Sequence, residues 1–252
     1  MFQKKDCSYE SYTKIMKLLK ESGKYIDYKE ALSAQEFIVL RHDIEFSVQR
    51  ALDLANLEQI EGIESSYFVQ LTNNSYNVFS EKNRMRLKEI RKLGHKIGLH
   101  YHRNEQKNMS IDELKMDIQY QAELLGNILE MEIDRFSFHR PLREHLEANL
   151  QIDGLINTYD RRLFVLTDEP NQKLDVKYIA DSNHQWKYGI PTKECLEKNP
   201  KVQLLLHPLS WSETGADHVN NFQMLIDEHK KEFINTIKAE WKIFNQLEGK
   251  LR

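Results

Sequence analysis

The sequence predicts an α/β protein in which parallel strands are joined by crossover helices. Seven short apolar or β-branched runs recur along the 252 residues, and most of the stretches between them carry apolar residues at three- and four-residue intervals. Strand and helix therefore alternate, which implies parallel pairing because each return to the sheet takes a crossover connection. A third observation is the placing of polar residues. Six of the seven runs end in His, Asp, Glu or Arg, at the end where catalytic groups gather in parallel α/β folds.

The elements follow in order. "FIVLRHD" from Phe37 is the first strand, and "VQRALDLANLEQIEG" after it is a helix with Ser47 as N-cap. "SSYFVQL" from Ser65 precedes the helix "SEKNRMRLKEIRKLG", capped by Ser80 and closed by Gly94 after a Lys/Arg-rich turn. "KIGLHYH" from Lys96 leads to a long helical pattern whose opening "SIDE" at Ser110 is a capping box. "RFSFHRP" from Arg135, "LINTYD" from Leu155, "KYIADS" from Lys177 and "VQLLLHP" from Val202 complete the strands. From about Asp217 to Gly249 a highly charged, helix-compatible segment is expected on the outside of the domain or against a second subunit. No linker, repeat or low-complexity tract divides residues 1–252, so a single domain is expected.

Hydrophobic residues make up 40% and charged residues 30% of the chain, the balance of a soluble globular protein. No apolar run approaches the roughly 20 residues that span a bilayer. "MFQKKDCSYESY" has lysines with no apolar segment behind them, unlike a secretory signal, so a cytoplasmic location is expected. A net charge of -3 gives no broad attraction for nucleic acid or anionic lipid. Cys7 and Cys195, the only cysteines, are too few for a disulfide framework or a thiolate metal site.

The polar strand ends hold six of the ten histidines, namely His42, His100, His102, His139, His184 and His207. One histidine at a strand end is usually a hydrogen-bonded rim residue, and Asp43 and Glu45 could form a structural salt bridge with Arg41 or Arg140. The whole set together points to a site, because so many ionisable groups are costly to bury without a metal, substrate or partner charge. Asp43 and Glu45 are two apart, as are His100 and His102, so each pair faces one side of an extended strand. Two imidazoles and a carboxylate suit Zn²⁺ or a similar divalent ion with positions open for water and substrate, and a second carboxylate could act as base. His42 is expected to support that site or sit on its rim.

"RHDIEFS", "LGHKIGLHYH", "FHRP" and "LLLHP", in this order, resemble the four motifs of the polysaccharide deacetylase (NodB-like, carbohydrate esterase family 4) superfamily, in particular its divergent members associated with capsule and lipopolysaccharide biosynthesis. The likeness covers about residues 37 to 211. It implies a distorted (β/α) barrel of about seven strands, one divalent ion, Zn²⁺ first, and removal of an N-acetyl or O-acetyl group from a sugar. By the resemblance Asp43 is the general base, Glu45 and His100 bind metal, Arg140 orients Asp43 and His207 is the general acid. Two positions depart from the pattern. Glu45 replaces the usual Asp and reaches about 1.5 Å further, and Asn104 stands where the second metal histidine falls, so His102 is the expected third ligand and His139 the alternative. Substrate contacts are expected from Tyr101, Asp181, His184 and Trp211, with Tyr67, Tyr76 and Trp186 as further rings that could stack on a sugar or simply pack. Two other readings keep the barrel: a hydrolase of a non-sugar amide, and an inactive carbohydrate-binding or scaffold protein, which Glu45 and Asn104 favour. A homo-oligomer is compatible with the C-terminal segment.

Overall fold

The computed structural model describes residues 7–103, 109–165, 175–247 and 249. Its strands are β1 (Phe37–Ile44), β2 (Ser66–Val69), β3 (Lys96–His102), β4 (Arg135–His139), β5 (Ile156–Asn157), β6 (Lys177–Ala180) and β7 (Lys201–Leu206). The helices are α1 (Tyr9–Glu21), α2 (Tyr28–Ala31), α3 (Val48–Glu61), α4 (Glu81–Lys92), α5 (Ile111–Leu129), α6 (Arg143–Glu147), α7 (Lys193–Lys198), α8 (His218–Glu240) and α9 (Phe244–Leu247). All seven expected strands are present, each paired in parallel, in the order β5-β4-β3-β2-β1-β7-β6. The sheet curls into a half-barrel, the distorted barrel form of the α/β class. Side chains of β7 and β1 reach across the barrel interior to the segment that follows β5. Gln203 donates to the carbonyls of Thr158 and Leu163 at 2.9 and 2.8 Å, and Arg41 donates to Thr158 Oγ1 at 2.7 Å.

Local chemistry fixes the helix starts. Ser47 and Ser80 accept from the backbone of Arg50 and Asn83, and Ser110 forms its capping box with Glu113. Helix α1 lies ahead of the first expected strand. Its Tyr12, Ile15, Met16 and Leu19 recur at helical spacing and pack with Ile38, Leu40, Val202 and Leu204 on the outer face of β1 and β7.

Along β1, Ile38, Leu40, His42 and Ile44 face the helices, while Phe37, Val39, Arg41 and Asp43 face the barrel interior. That interior is tight. A Cβ on Gly98 of β3 would come within 2.6 Å of the Phe68 ring and 2.8 Å of Arg135 Cγ, so only glycine fits.

The outward His42 belongs to neither rim nor site, a correction that follows directly from the two-residue alternation of the strand. It is fully buried, with Nε2 at 2.7 Å from Glu58 Oε1. Tyr12, Ser65 and Tyr67 donate their hydroxyls to the same carboxylate at 2.6, 2.6 and 2.7 Å. Burial opposes ionisation of Glu58, but the charge and hydrogen bond of His42, then His95 and Ser65, outweigh it and hold the group at about 2. A carboxyl depressed in the folded state stabilises fully above its unfolded value of 4.5, and the contribution is lost as pH falls toward about 2. Thermal unfolding is thus expected to show a falling Tm below that unfolded value, and Glu58→Gln to lose about 3 kcal/mol at neutral pH together with that acid limb. Equal acid limbs in the two proteins would rule the network out as their source.

Candidate active site

The carboxyl ends of β1, β3, β4 and β7 bring Asp43, Glu45, His100, His139, Arg140 and His207 to one cavity of about 600 Å³, a size suited to a small-molecule site. His100 is buried on β3 and lies in register with Ser137 of β4. Its Nδ1 is 2.7 Å from Ser137 Oγ, which leaves Nε2 facing the cavity, 3.2 Å from His139 Nδ1. The same His139 nitrogen is 3.2 Å from Glu45 Oε1. Four ligands at about 2.0–2.1 Å from a tetrahedral ion lie roughly 3.3 Å apart, so these separations match such an ion. Glu45, His100 and His139, whose ligand atoms all lie within 4.8 Å of one another, fit Zn²⁺ or a similar divalent ion with a position to spare.

His102, the first choice for third ligand, stands outside this group. It pairs in register with His139, whose ring packs against both β3 imidazoles, at 5.1 Å from His100 and 4.6 Å from His102. The donor beside Glu45 therefore comes from β4. Asn104 lies outside the described residues. Burial, and next the nearness of His139, push His100 well below the usual imidazole range, so it presents a lone pair. Burial works against Glu45, but the His139 hydrogen bond and the nearby His207 and His100 overcome it, leaving the carboxyl below its ordinary range.

Asp43 stands next to this group on the same face of β1. Its Oδ2 is 3.7 Å from His100 Nε2, and Ser137 Oγ donates to its Oδ1 at 3.4 Å. The arginine that orients it is Arg41, not Arg140. Arg41 Nη2 donates to Asp43 Oδ2 at 3.1 Å and to Tyr159 Oη at 2.9 Å, and its guanidinium lies 4.8 Å from the Tyr159 ring centroid. Arg140 follows β4 in the left-handed region, at φ 51°, and lines the cavity without a hydrogen bond or ion pair to Asp43. The chain turns there, whereas Arg41 sits two residues before Asp43 and shares its face.

His207 ends β7 with Nδ1 at 2.6 Å from Asp181 Oδ1. Burial favours the neutral ring, but the charge and hydrogen bond of Asp181 prevail and raise the imidazole to about 9, so it keeps its proton at neutral pH. Asp181 is fully buried and also accepts from the His207 backbone and, at 3.0 Å, from Trp211 Nε1. Neither Asp181 nor Trp211 is a substrate contact. The carboxylate positions His207, and the indole, fully buried, braces the carboxylate. In Asp181→Asn the imidazole is expected to fall back toward its ordinary 6.5, moving the alkaline limit of activity downward. A pH–rate profile checks this, and an unmoved limit would detach Asp181 from the acid.

Tyr101 also leaves the site, because the strand alternation turns it outward, where its hydroxyl donates to Asp117 of α5 at 2.7 Å. Tyr67 is held by Glu58, Tyr76 donates to the Ile44 carbonyl at 2.9 Å, and Trp186 is buried in the core. The aromatic wall is instead Tyr159, Phe164, Tyr178 and Tyr188, whose successive ring centroids are 4.8, 5.3 and 5.3 Å apart along the cavity. His184 does line the cavity. It and Asn183 adopt φ of 52° and 56°, a left-handed pair that costs on the order of 1–2 kcal/mol per residue and projects from the cavity rim.

The Asp43 carboxylate, three side chains able to hold a metal ion and the protonated imidazole of His207 thus meet in one cavity of an α/β half-barrel. No family model matches the sequence and no curated protein matches it. Among solved structures the chain is similar to the CE4 domain of a multidomain xylanase from the hindgut metagenome of Trinervitermes trinervoides, at 12% identity over 79% of this chain and 85% of that one, with a TM-score of 0.43. It is similar also to the chitin deacetylase of the fungal pathogen Colletotrichum lindemuthianum, at 15% identity over 77% and 81% of the two chains and a TM-score of 0.42. A third match is a CE4-family pseudoenzyme from Bacillus anthracis, at 13% identity and a TM-score of 0.42, where the alignment covers 79% of this chain and 62% of that one. Likeness this distant says nothing of activity.

Proposed function

We propose that the chain is a metal-dependent carbohydrate deacetylase, removing an N-acetyl, or less readily an O-acetyl, group from a sugar that is a precursor of surface polysaccharide. The observation that carries this reading is the meeting of three ligand side chains, Glu45, His100 and His139, with the carboxylate of Asp43 and the Asp181-held imidazole of His207 in one cavity. A divalent ion bound there, with Zn²⁺ the first choice, supplies a Lewis acid for the acyl oxygen and lowers the pKa of bound water.

The chain's own residues do the rest. Asp43, fixed by Arg41, takes the proton of the attacking water, and His207 gives its proton to the departing amine. Ser137 holds His100 in the tautomer that offers Nε2. The arc from Tyr159 to Tyr188 covers the apolar face of a sugar ring, and His184 supplies a polar contact at the rim. Two free thiols, one of them buried, suit a reducing compartment, and we place the reaction in the cytoplasm. Among the described residues, no helix is long and apolar enough to cross a membrane.

The test is acetate release from a panel of N-acetylated sugars and sugar nucleotides by metal-loaded protein. Release from at least one is expected, and silence across the panel at full metal occupancy would leave a binding protein. His100→Ala is expected to abolish metal binding, since two remaining ligands seldom hold a catalytic ion. Undiminished metal content in that variant would reject the ligand set.

A further inference from the structure

Helix α8 is 23 residues long, yet only Asn221 and Leu225 of it are buried. Polar contacts fasten one side of it to the body. Arg50 of α3 donates to Asn221 Oδ1 at 2.6 Å and to Glu228 Oε1 at 2.8 Å, Arg86 of α4 meets Glu232 at 3.2 Å, and His229 Nε2 lies 3.1 Å from the Phe46 carbonyl. A different side carries an apolar stripe. Val219, Phe222, Ile226 and Phe233 are 78%, 44%, 59% and 66% exposed, and Trp241 just beyond the helix is 68% exposed. With Ile237, and with Lys230 the one charged residue among them, they recur at three- and four-residue steps and fall within about 100° of arc on a helical wheel.

We infer that α8 is a dimerisation helix, pairing antiparallel with α8 of a second copy of this chain about a two-fold axis between His229 and Lys230. Spacing carries the inference first. About that point Phe222 mirrors Ile237 and Ile226 mirrors Phe233, while Val219 mirrors Glu240, one residue before Trp241. A two-fold pair thus sets the four central apolar side chains against one another, the condition for a self-complementary surface. Area carries it next. Counting about 200 Å² for a fully exposed aromatic side chain and roughly 150 Å² for an aliphatic one, the stripe exposes about 600 Å² per chain and about 1,200 Å² per pair, above the roughly 1,000 Å² of a specific interface. The charges agree. Asp227 on the flank of the stripe falls opposite Lys230 and Lys231 of the second copy, which also places the stripe's one lysine beside a carboxylate. Acidic and basic residues along α8 are balanced, with Asp227, Glu228, Glu232 and Glu240 against Lys230, Lys231 and Lys238, so the helix lacks the basic face that anionic lipid surfaces select.

Sedimentation of the full chain at tens of micromolar is expected to give about twice the 30.0 kDa chain mass. Ile226→Glu with Phe233→Glu is expected to sediment as a monomer with unchanged circular dichroism, because both side chains are exposed in the monomer. Lys230→Cys, in a Cys195→Ser background, is expected to form an interchain disulfide under mild oxidation, since the position adjoins the axis. A monomeric wild-type chain, or a dimer that survives the double substitution, overturns the inference. So does a Lys230→Cys dimer that fails to cross-link, and so does co-sedimentation with phosphatidylserine vesicles that the double substitution abolishes.

Discussion

Asp43→Asn is expected to cut turnover on an N-acetylated sugar by about two to four orders of magnitude, the usual loss on removing a general base, while metal content stays unchanged. The proposed ligand atoms belong to Glu45, His100 and His139 and do not include Asp43. Asparagine keeps an oxygen for Arg41, and the guanidinium retains Thr158, Gln203 and Tyr159 as partners. A buried cation beside a neutral amide still costs on the order of 1–3 kcal/mol, which a denaturation curve measures separately from the rate. Activity equal to wild type at equal metal occupancy would remove Asp43 from the reaction.

The second large effect belongs to His207. His207→Ala is expected to slow an amide substrate by about two orders of magnitude or more and an activated ester much less. An amine must be protonated to depart, whereas a phenolate leaves readily without help. A residue that only binds substrate would slow both to the same degree. Equal losses on amide and ester would therefore assign His207 to binding, and the comparison needs no knowledge of the natural sugar.

Parallel strands buried on both faces read as continuous apolar runs, which is why β1 to β7 were all legible in the sequence. The caps at Ser47, Ser80 and Ser110 were legible because capping is a contact within four residues. Helix α1 carries an equally plain signal at Tyr12, Ile15, Met16 and Leu19, ahead of the first strand. The strand-end convergence of Asp43, Glu45, His100, His139 and His207 was legible too, since a row of ionisable groups at strand tips has few other physical reasons. The two-residue rule that paired Asp43 with Glu45 also places Arg41 on their face and turns His42 and Tyr101 away. Applied to every strand residue, it would have found the arginine that holds Asp43. Other features depend on how strands meet. The choice between His102 and His139 follows from their pairing in register, and the Asp181–His207 contact joins two strands 26 residues apart. The arc from Tyr159 to Tyr188 likewise exists only once the seam between β5 and β6 is drawn together.

That sheet order has a consequence for how the protein comes to be made. Strand β1 sits between β2 and β7, and Arg41 reaches Gln203 of β7 across 162 residues. Contacts this far apart along a chain form late, after the local ones have condensed. On the ribosome, the strand bearing Asp43 and Glu45 waits for its second neighbour until most of the polypeptide has been synthesised, and the strand that then arrives carries His207. Asp43, Glu45 and His207 are thereby brought together in one step. A nascent chain halted before β7 lacks His207 and leaves β1 without a partner on one side. In refolding, ion uptake and the recovery of native fluorescence are expected to share the slowest rate.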